Sequence, residues 1–250
     1  MSHPQLIYQM LLDHCSAPAM VEQLLIGAVW TLCRTNAASG VGLAMSPGLY
    51  PRNLSWSGEL TGKTNTQLGS WIYSWDPHQA AVALAAINSN INSRPLPGSL
   101  HPISLPAGNL AVFDFLLPQL REQKVAVIGH YPGIERYQNQ MELSILERQL
   151  QAGDLPDSAC EFILPEADWV FLTASSIANK TLPRLAELSA NAKTVLMGPS
   201  LPWLTDWRQF GIDYLAGIEI LDHQRLQDTV AQGGGMKIFA DSVRYRIAAL

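Results

Sequence analysis

The sequence predicts an α/β fold in two parts: a Rossmann-like parallel-sheet domain over residues 109–250, preceded by a smaller α+β domain over residues 1–108. Three observations carry this prediction. From about residue 110 onward, short branched apolar runs alternate with helical segments, the signature of βαβ units. A stretch holding Pro95, Pro97, Pro102 and Pro106 separates that region from an upstream half of different texture. The run "KVAVIG" stops abruptly at Gly129-His130-Tyr131-Pro132, as a buried parallel strand does where a ligand site begins.

Taken in chain order, "PQLIYQMLLDHC" has helical spacing at Leu6, Ile7, Met10 and Leu11. "LLIGAVWTLCRT" and "GVGLAM" read as two strands. In "WDPHQAAVALAAINSNIN" Asp76 is placed to cap and Pro77 to begin a helix. Its many alanines predict close packing on both sides. The Pro-rich linker follows, with the domain break expected between Asn92 and Asn109. Beyond it "KVAVIG", "ELSILER", "DWVFLTA", "KTVLMG" and "DYLAGIEIL" read as strands. "DSACEFILPEA", "NKTLPRLAELSANA", "LTDWRQFG" and "HQRLQDTVAQGG" read as the helices between them, and "QGGGMKIF" leads from a helix into a strand.

Composition narrows the function. Net charge is −5 with no basic run, so neither a nucleic-acid groove nor an anionic membrane patch is indicated. No stretch reaches the roughly 18 apolar residues of a membrane span, and the N-terminus does not read as a signal peptide. Charged residues make up only 15%, which predicts apolar surface buried between subunits and hence a homodimer. Cys15, Cys33 and Cys160 are scattered and odd in number, which predicts a reducing, cytoplasmic setting. Cys33, inside a strand, reads as an inert buried thiol.

The motifs exclude more than they assign. A dinucleotide fingerprint would need a second glycine where Tyr131 stands, and Pro132 removes an N–H that a phosphate would use. Glu147 reads as a solvent-facing acid beside Arg148 rather than a ribose ligand. No CxxC, HxxxH or HExxH preorganises a metal, leaving His130, Asp154, Asp168, Asp222 and His223 as dispersed candidates. Asp222 reads as the cap of a helix beginning at His223. His3, His14, His78 and His101 read as structural or incidental. Ser175, Ser176 and Ser200 follow strands but sit on no nucleophile elbow, and Ser176 reads as a helix cap.

The segments "VIGHYP", "GDLPDSACEFILPEADWVFLTASSIANKTLPRLAELS", "VLMGPSLP" and "VAQGGGMKIF", together with upstream "GVGLAMS" and "WDPHQAAVALAAINS", resemble a putative heavy-metal-chelation family of otherwise unassigned domains. The resemblance covers nearly the whole chain. It implies an enolase N-terminal-like first domain, a Rossmann-like second domain, and handling of a divalent or heavy metal ion or of a siderophore-like metal chelate. Ala174 stands where the family motif has glycine, at an expected loss of backbone freedom.

Ligand contacts are expected at the carboxyl ends of the parallel strands: Gly129, His130 and Tyr131, then Thr173 and Ser175, then Gly198 and Ser200, with Gly234 added from the triple glycine. His130 is the expected metal ligand. The N-terminal domain is expected to roof this edge, with Asn88 and Asn92 among the lining groups. The partner is then a small molecule or metal chelate in an interdomain cleft. The alternative is an enzyme acting there on a small anionic or aromatic metabolite.

Overall fold

A computed structural model describes residues 4–38, 40–48 and 53–250. His3 therefore lies outside the described residues. In chain order the elements are α1 (Gln5–His14), β1 (Val21–Ile26), β2 (Trp30–Thr35), β3 (Val41–Met45), α2 (Asn65–Gly69), α3 (Pro77–Asn92), β4 (Ile103–Ser104), α4 (Ala111–Leu120), β5 (Lys124–Ile128) and β6 (Glu142–Glu147). There follow β7 (Leu155–Pro156), α5 (Cys160–Ile163), β8 (Trp169–Thr173), α6 (Ser175–Ala178), α7 (Leu182–Leu188), β9 (Lys193–Met197), β10 (Tyr214–Ile220), α8 (His223–Ala231), α9 (Ile238–Asp241) and β11 (Val243–Ala249).

The large sheet runs β4-β11-β10-β9-β8-β5-β6-β7. Strands β5 to β10 and β7 are parallel, whereas β11 is antiparallel to β10 and closes that side with β4. Strand order reverses between β5 and β8, which makes their carboxyl ends the topological switch point of a Rossmann-like sheet. Alternate residues serve opposite faces. Val125 and Val127 join α4, α8 and α9 in one core, while Ala126 joins α5, α6 and α7 in the other.

The N-terminal half is an antiparallel β1-β2-β3 meander backed by α3. Asp76 caps α3 by accepting from the His78 and Gln79 amides. The helix is buried on nearly every side because it is sandwiched between the meander and α6. Gly42 permits this packing: a Cβ there would lie 2.2 Å from both the Ala85 carbonyl and the Ser89 amide. The two halves share their cores rather than abutting. Tyr8, Leu84 and Ile87 lie in one cluster with Val170, Leu172 and Leu196, and Trp30, Leu32 and Leu43 in the other with Leu226 and Ile238.

Several expectations are corrected. "LLIGAVWTLCRT" is a hairpin, not one strand: Gly27 turns the chain, and its amide bonds to the Trp30 carbonyl at 2.9 Å. The triple glycine leads into helix α9, not a strand. There, Gly233 (φ 77) ends α8, its amide and that of Gly234 bonding to the Val230 and Thr229 carbonyls, a Schellman cap. Ala174 loses nothing by not being glycine, since its φ of −66 is ordinary right-handed backbone. Helix α4 lies in a segment whose spacing gives no clear periodic signal. Strand β11 alternates buried Val243, Tyr245 and Ile247 with Arg244 and Arg246, and was not named among the expected strands. Asp222 does cap α8, accepting from the Arg225 amide. Cys33 is fully buried in β2, and burial pushes its thiol up to about 12.

Candidate functional site

A cavity of about 780 Å³ opens at the carboxyl edge of the parallel strands. It is walled by Gly129, His130 and Tyr131 after β5, by Thr173 and Ser175 after β8, and by Gly198 and Ser200 after β9. Val29, Trp30 and Met45 of the N-terminal half complete it. Its lining is mainly apolar. A second cavity of about 1000 Å³ adjoins it, sharing Met45, His130, Glu147, Arg148, Ser175 and Asn179.

The loop after β5 is built around His130. Gly129 must be glycine, because its φ of 100 is a left-handed turn that aims the chain out of the sheet. The His130 amide then donates to Glu147 Oε2 at 3.0 Å, and the other Glu147 oxygen accepts from the Arg148 and Gln149 amides. Glu147 is thus a brace between two strand ends, not a solvent-facing acid. The His130 ring, 5% exposed, holds Nδ1 2.9 and 3.1 Å from the Asp154 oxygens and Nε2 3.0 Å from Glu135 Oε1. Burial alone would lower its pKa, but the two carboxylates outweigh burial and raise it. Both ring nitrogens thus face carboxylate oxygens, an arrangement that favours the protonated ring.

Hydroxyls follow at the next strand ends. Thr173 Oγ1 and Ser175 Oγ are hydrogen-bonded at 3.0 Å, while Ser176 donates back to the Thr173 carbonyl instead of capping α6. Tyr131 packs edge-on to Phe113, and burial pushes its phenol up to about 12 against a smaller opposite pull from Thr173. Lys180 adds an amine. It sits at φ 70, donates to the Ile72 carbonyl and lies 4.8 Å from the Tyr8 ring centroid. Burial pushes it down to about 8, and among the described residues no carboxylate pairs with it. The other cations of the wall are paired, Arg148 with Asp157 at 3.4 Å and Arg184 with Glu161 at 2.5 Å.

Other expected positions lie elsewhere. Gly234 does not line either cavity; a Cβ there would meet Thr229 Cγ2 at 2.5 Å, so the close approach it permits is to α8. Gly235 lines the first cavity instead, its carbonyl accepting from Trp30 Nε1 at 3.1 Å. Asn88 is a clasp rather than a wall, donating to the Leu43 and Ser200 carbonyls at 2.8 and 2.9 Å. Ser200 Oγ in turn accepts from the Met45 amide at 2.9 Å. Asn92 bonds to the Val41 carbonyl. Asp168 accepts from the Lys124 amide. Of the dispersed acids only Asp154 joins His130. Glu135, Lys180 and Trp30 were not singled out by sequence, and only the long-range fold assembles them.

A heavy metal held by the protein alone needs several converging donors. Among the described residues no three His, Cys, Asp or Glu side chains form such a group. Both ring nitrogens of His130 are already engaged by carboxylates. The site does not fit a bare ion held by side chains.

Two family models, both described as "Putative heavy-metal chelation", match residues 8–91 and 111–249. The chain is similar to a crystal structure of a protein of unknown function from Desulfitobacterium hafniense, with TM-score 0.83 and 28% identity over 99% of this chain and 98% of that one. A second crystal structure of a protein of unknown function, from Pyrococcus horikoshii, shares the fold at TM-score 0.79 and 18% identity, covering 99% of each chain. An uncharacterized protein of Methanocaldococcus jannaschii is 28% identical over 159 residues, a match spanning 60% of this chain and 58% of that protein's length.

Proposed function

The chain belongs to the family described as "Putative heavy-metal chelation", and from that premise we propose that it binds metal as a small organic chelate, in the cleft between its two halves. The observation that carries this reading is the cavity at the switch point. At about 780 Å³ and mainly apolar, with Trp30 and Tyr131 in its wall, it suits an organic molecule rather than an ion. The Thr173 and Ser175 hydroxyls, hydrogen-bonded to each other at 3.0 Å in its wall, can orient the polar groups of such a molecule.

Native mass spectrometry with elemental analysis, on untagged protein purified without added chelators, tests the reading. The expected result is an organic adduct and a metal in matching stoichiometry. Metal retained with no organic adduct would overturn it.

Lys180 favours a second reading, an enzyme acting on a small anionic or aromatic metabolite. Burial lowers its amine to about 8, and once released from the Ile72 carbonyl and the Tyr8 ring it could exchange a proton or add to a carbonyl. The wider reading also includes a cytoplasmic homodimer. It is supported by three buried, unpaired cysteines and by exposed Trp75 and Phe162. No helix among the described residues is long and apolar enough to cross a membrane.

A further inference from the structure

His78 is a buried polar side chain left without a hydrogen bond among the described residues. It stands in the first turn of α3, and its side chain is only 6% exposed. Nδ1 is sealed from solvent with no hydrogen-bond partner, 3.9 Å from Asp76 Oδ1. Nε2 makes no hydrogen bond with any described residue. Leaving a buried polar atom unpaired costs about 1–3 kcal/mol, so folded proteins keep such atoms for a reason. The ring forms part of the wall of the second cavity, the one that shares His130 and Glu147 with the apolar cavity.

The two imidazoles of this cleft are thus opposites. His130 is clamped by carboxylates through both nitrogens; His78 is left with none engaged. An imidazole without a partner retains a lone pair, and neutral imidazole is the commonest metal-ligating side chain. Resting on the chelate reading above, we propose that His78 coordinates the metal of the bound chelate, filling a position that the chelator leaves open. The ligand is then oriented. Its organic body lies in the apolar cavity beside Trp30 and Tyr131, and its metal-bearing head lies in the adjoining cavity toward α3.

The probe is copper(II) bound to one equivalent of 1,10-phenanthroline, a flat aromatic chelator that leaves coordination positions open. Metal-free phenanthroline is the control. Both are titrated calorimetrically into protein in which surface His101 and His223 are replaced by Ala, and into the same protein carrying His78→Ala or His78→Asn. Pulsed electron paramagnetic resonance reads the remote-nitrogen modulation of a coordinated imidazole. The expected result is tighter binding of the copper complex than of the free chelator, with an imidazole signature. Both His78 variants should lose that signature and bind the complex at least about tenfold more weakly, the lower end of what outer-shell changes alone cost metal sites. Binding of metal-free phenanthroline should stay unchanged. A signature or affinity that survives both substitutions would overturn the role of His78 and leave the cleft reading standing. If neither probe binds the protein with His78 intact, the cleft reading fails and this inference falls with it.

Discussion

His130 and Asp154 face each other inside the protein, the ring nitrogen Nδ1 lying 2.9 and 3.1 Å from the two carboxylate oxygens, with Asp154 only 1% exposed. Asp154 also accepts from the Gln151 amide, so it is fixed before the ring arrives. Truncating it would leave a buried imidazolium unpaired on that side. Asp154→Ala is expected to destabilise by about 1–3 kcal/mol in urea unfolding. Asp154→Asn should retain more stability while moving the His130 pKa down, followed by the imidazole proton shifts in NMR. An unchanged His130 titration would show that Asp154 does not set its charge.

The raised pKa of His130 has a consequence for stability against pH. The folded protein holds this proton more tightly than the unfolded chain does, so the clamp stabilises fully below the unfolded value of about 6.5. That stabilisation is lost as pH rises through the higher folded value. The melting temperature should fall as pH rises above the unfolded value, and the fall should be smaller in His130→Gln. An equal fall in both proteins would assign the pH dependence elsewhere.

Asn88 joins β3 to the loop after β9 through one amide group. Asn88→Ala leaves the Leu43 and Ser200 carbonyls without that donor and is expected to destabilise by about 1–3 kcal/mol in urea unfolding. Asn88→Asp should be worse, because an ionised carboxylate cannot donate to them. If Asn88→Ala unfolds as the native protein does, the clasp carries no net stability.

The connection between the halves is exposed from Arg94 to Pro95 and at Gly98 and Ser99, whereas Leu100 and Leu105 are buried. Subtilisin is expected to cut first between residues 93 and 99. The nicked protein should elute from a sizing column as one particle, because both cores cross the cut. First cuts inside the parallel sheet would contradict this placement of the break.

Much of this was legible in the sequence, for identifiable reasons. Strand β5 and its exit at Gly129 were readable because a parallel central strand is buried on both faces and shows as an uninterrupted branched run. Strand β11 was equally legible, because Val243-Arg244-Tyr245-Arg246-Ile247 alternates apolar and polar residues with period two, although it was not among the strands expected. Helix α4 was hidden by its own composition: "AVFDFLLPQL" is too uniformly apolar to show a period, and Pro118 argues against a helix. The β1–β2 turn was hidden because Gly27 lies within an apolar run. The carboxylates around His130 lie 5 and 24 residues along the chain, distances at which no local pattern links them. The close packing of α3 was legible in its alanines, and the burial of His78 in its first turn follows from it.

The shared cores constrain how such a molecule could have changed over time. A roof that merely rested on the sheet could be exchanged for another module, leaving the crevice beneath it intact. Here Trp30 and Leu43 share a core with α4, α8 and α9, and Leu84 and Ile87 share one with α5, α6 and α7. Neither half keeps a finished interior if the other is shuffled away. A substitution in the interior of either half is therefore felt in a core that both halves fill.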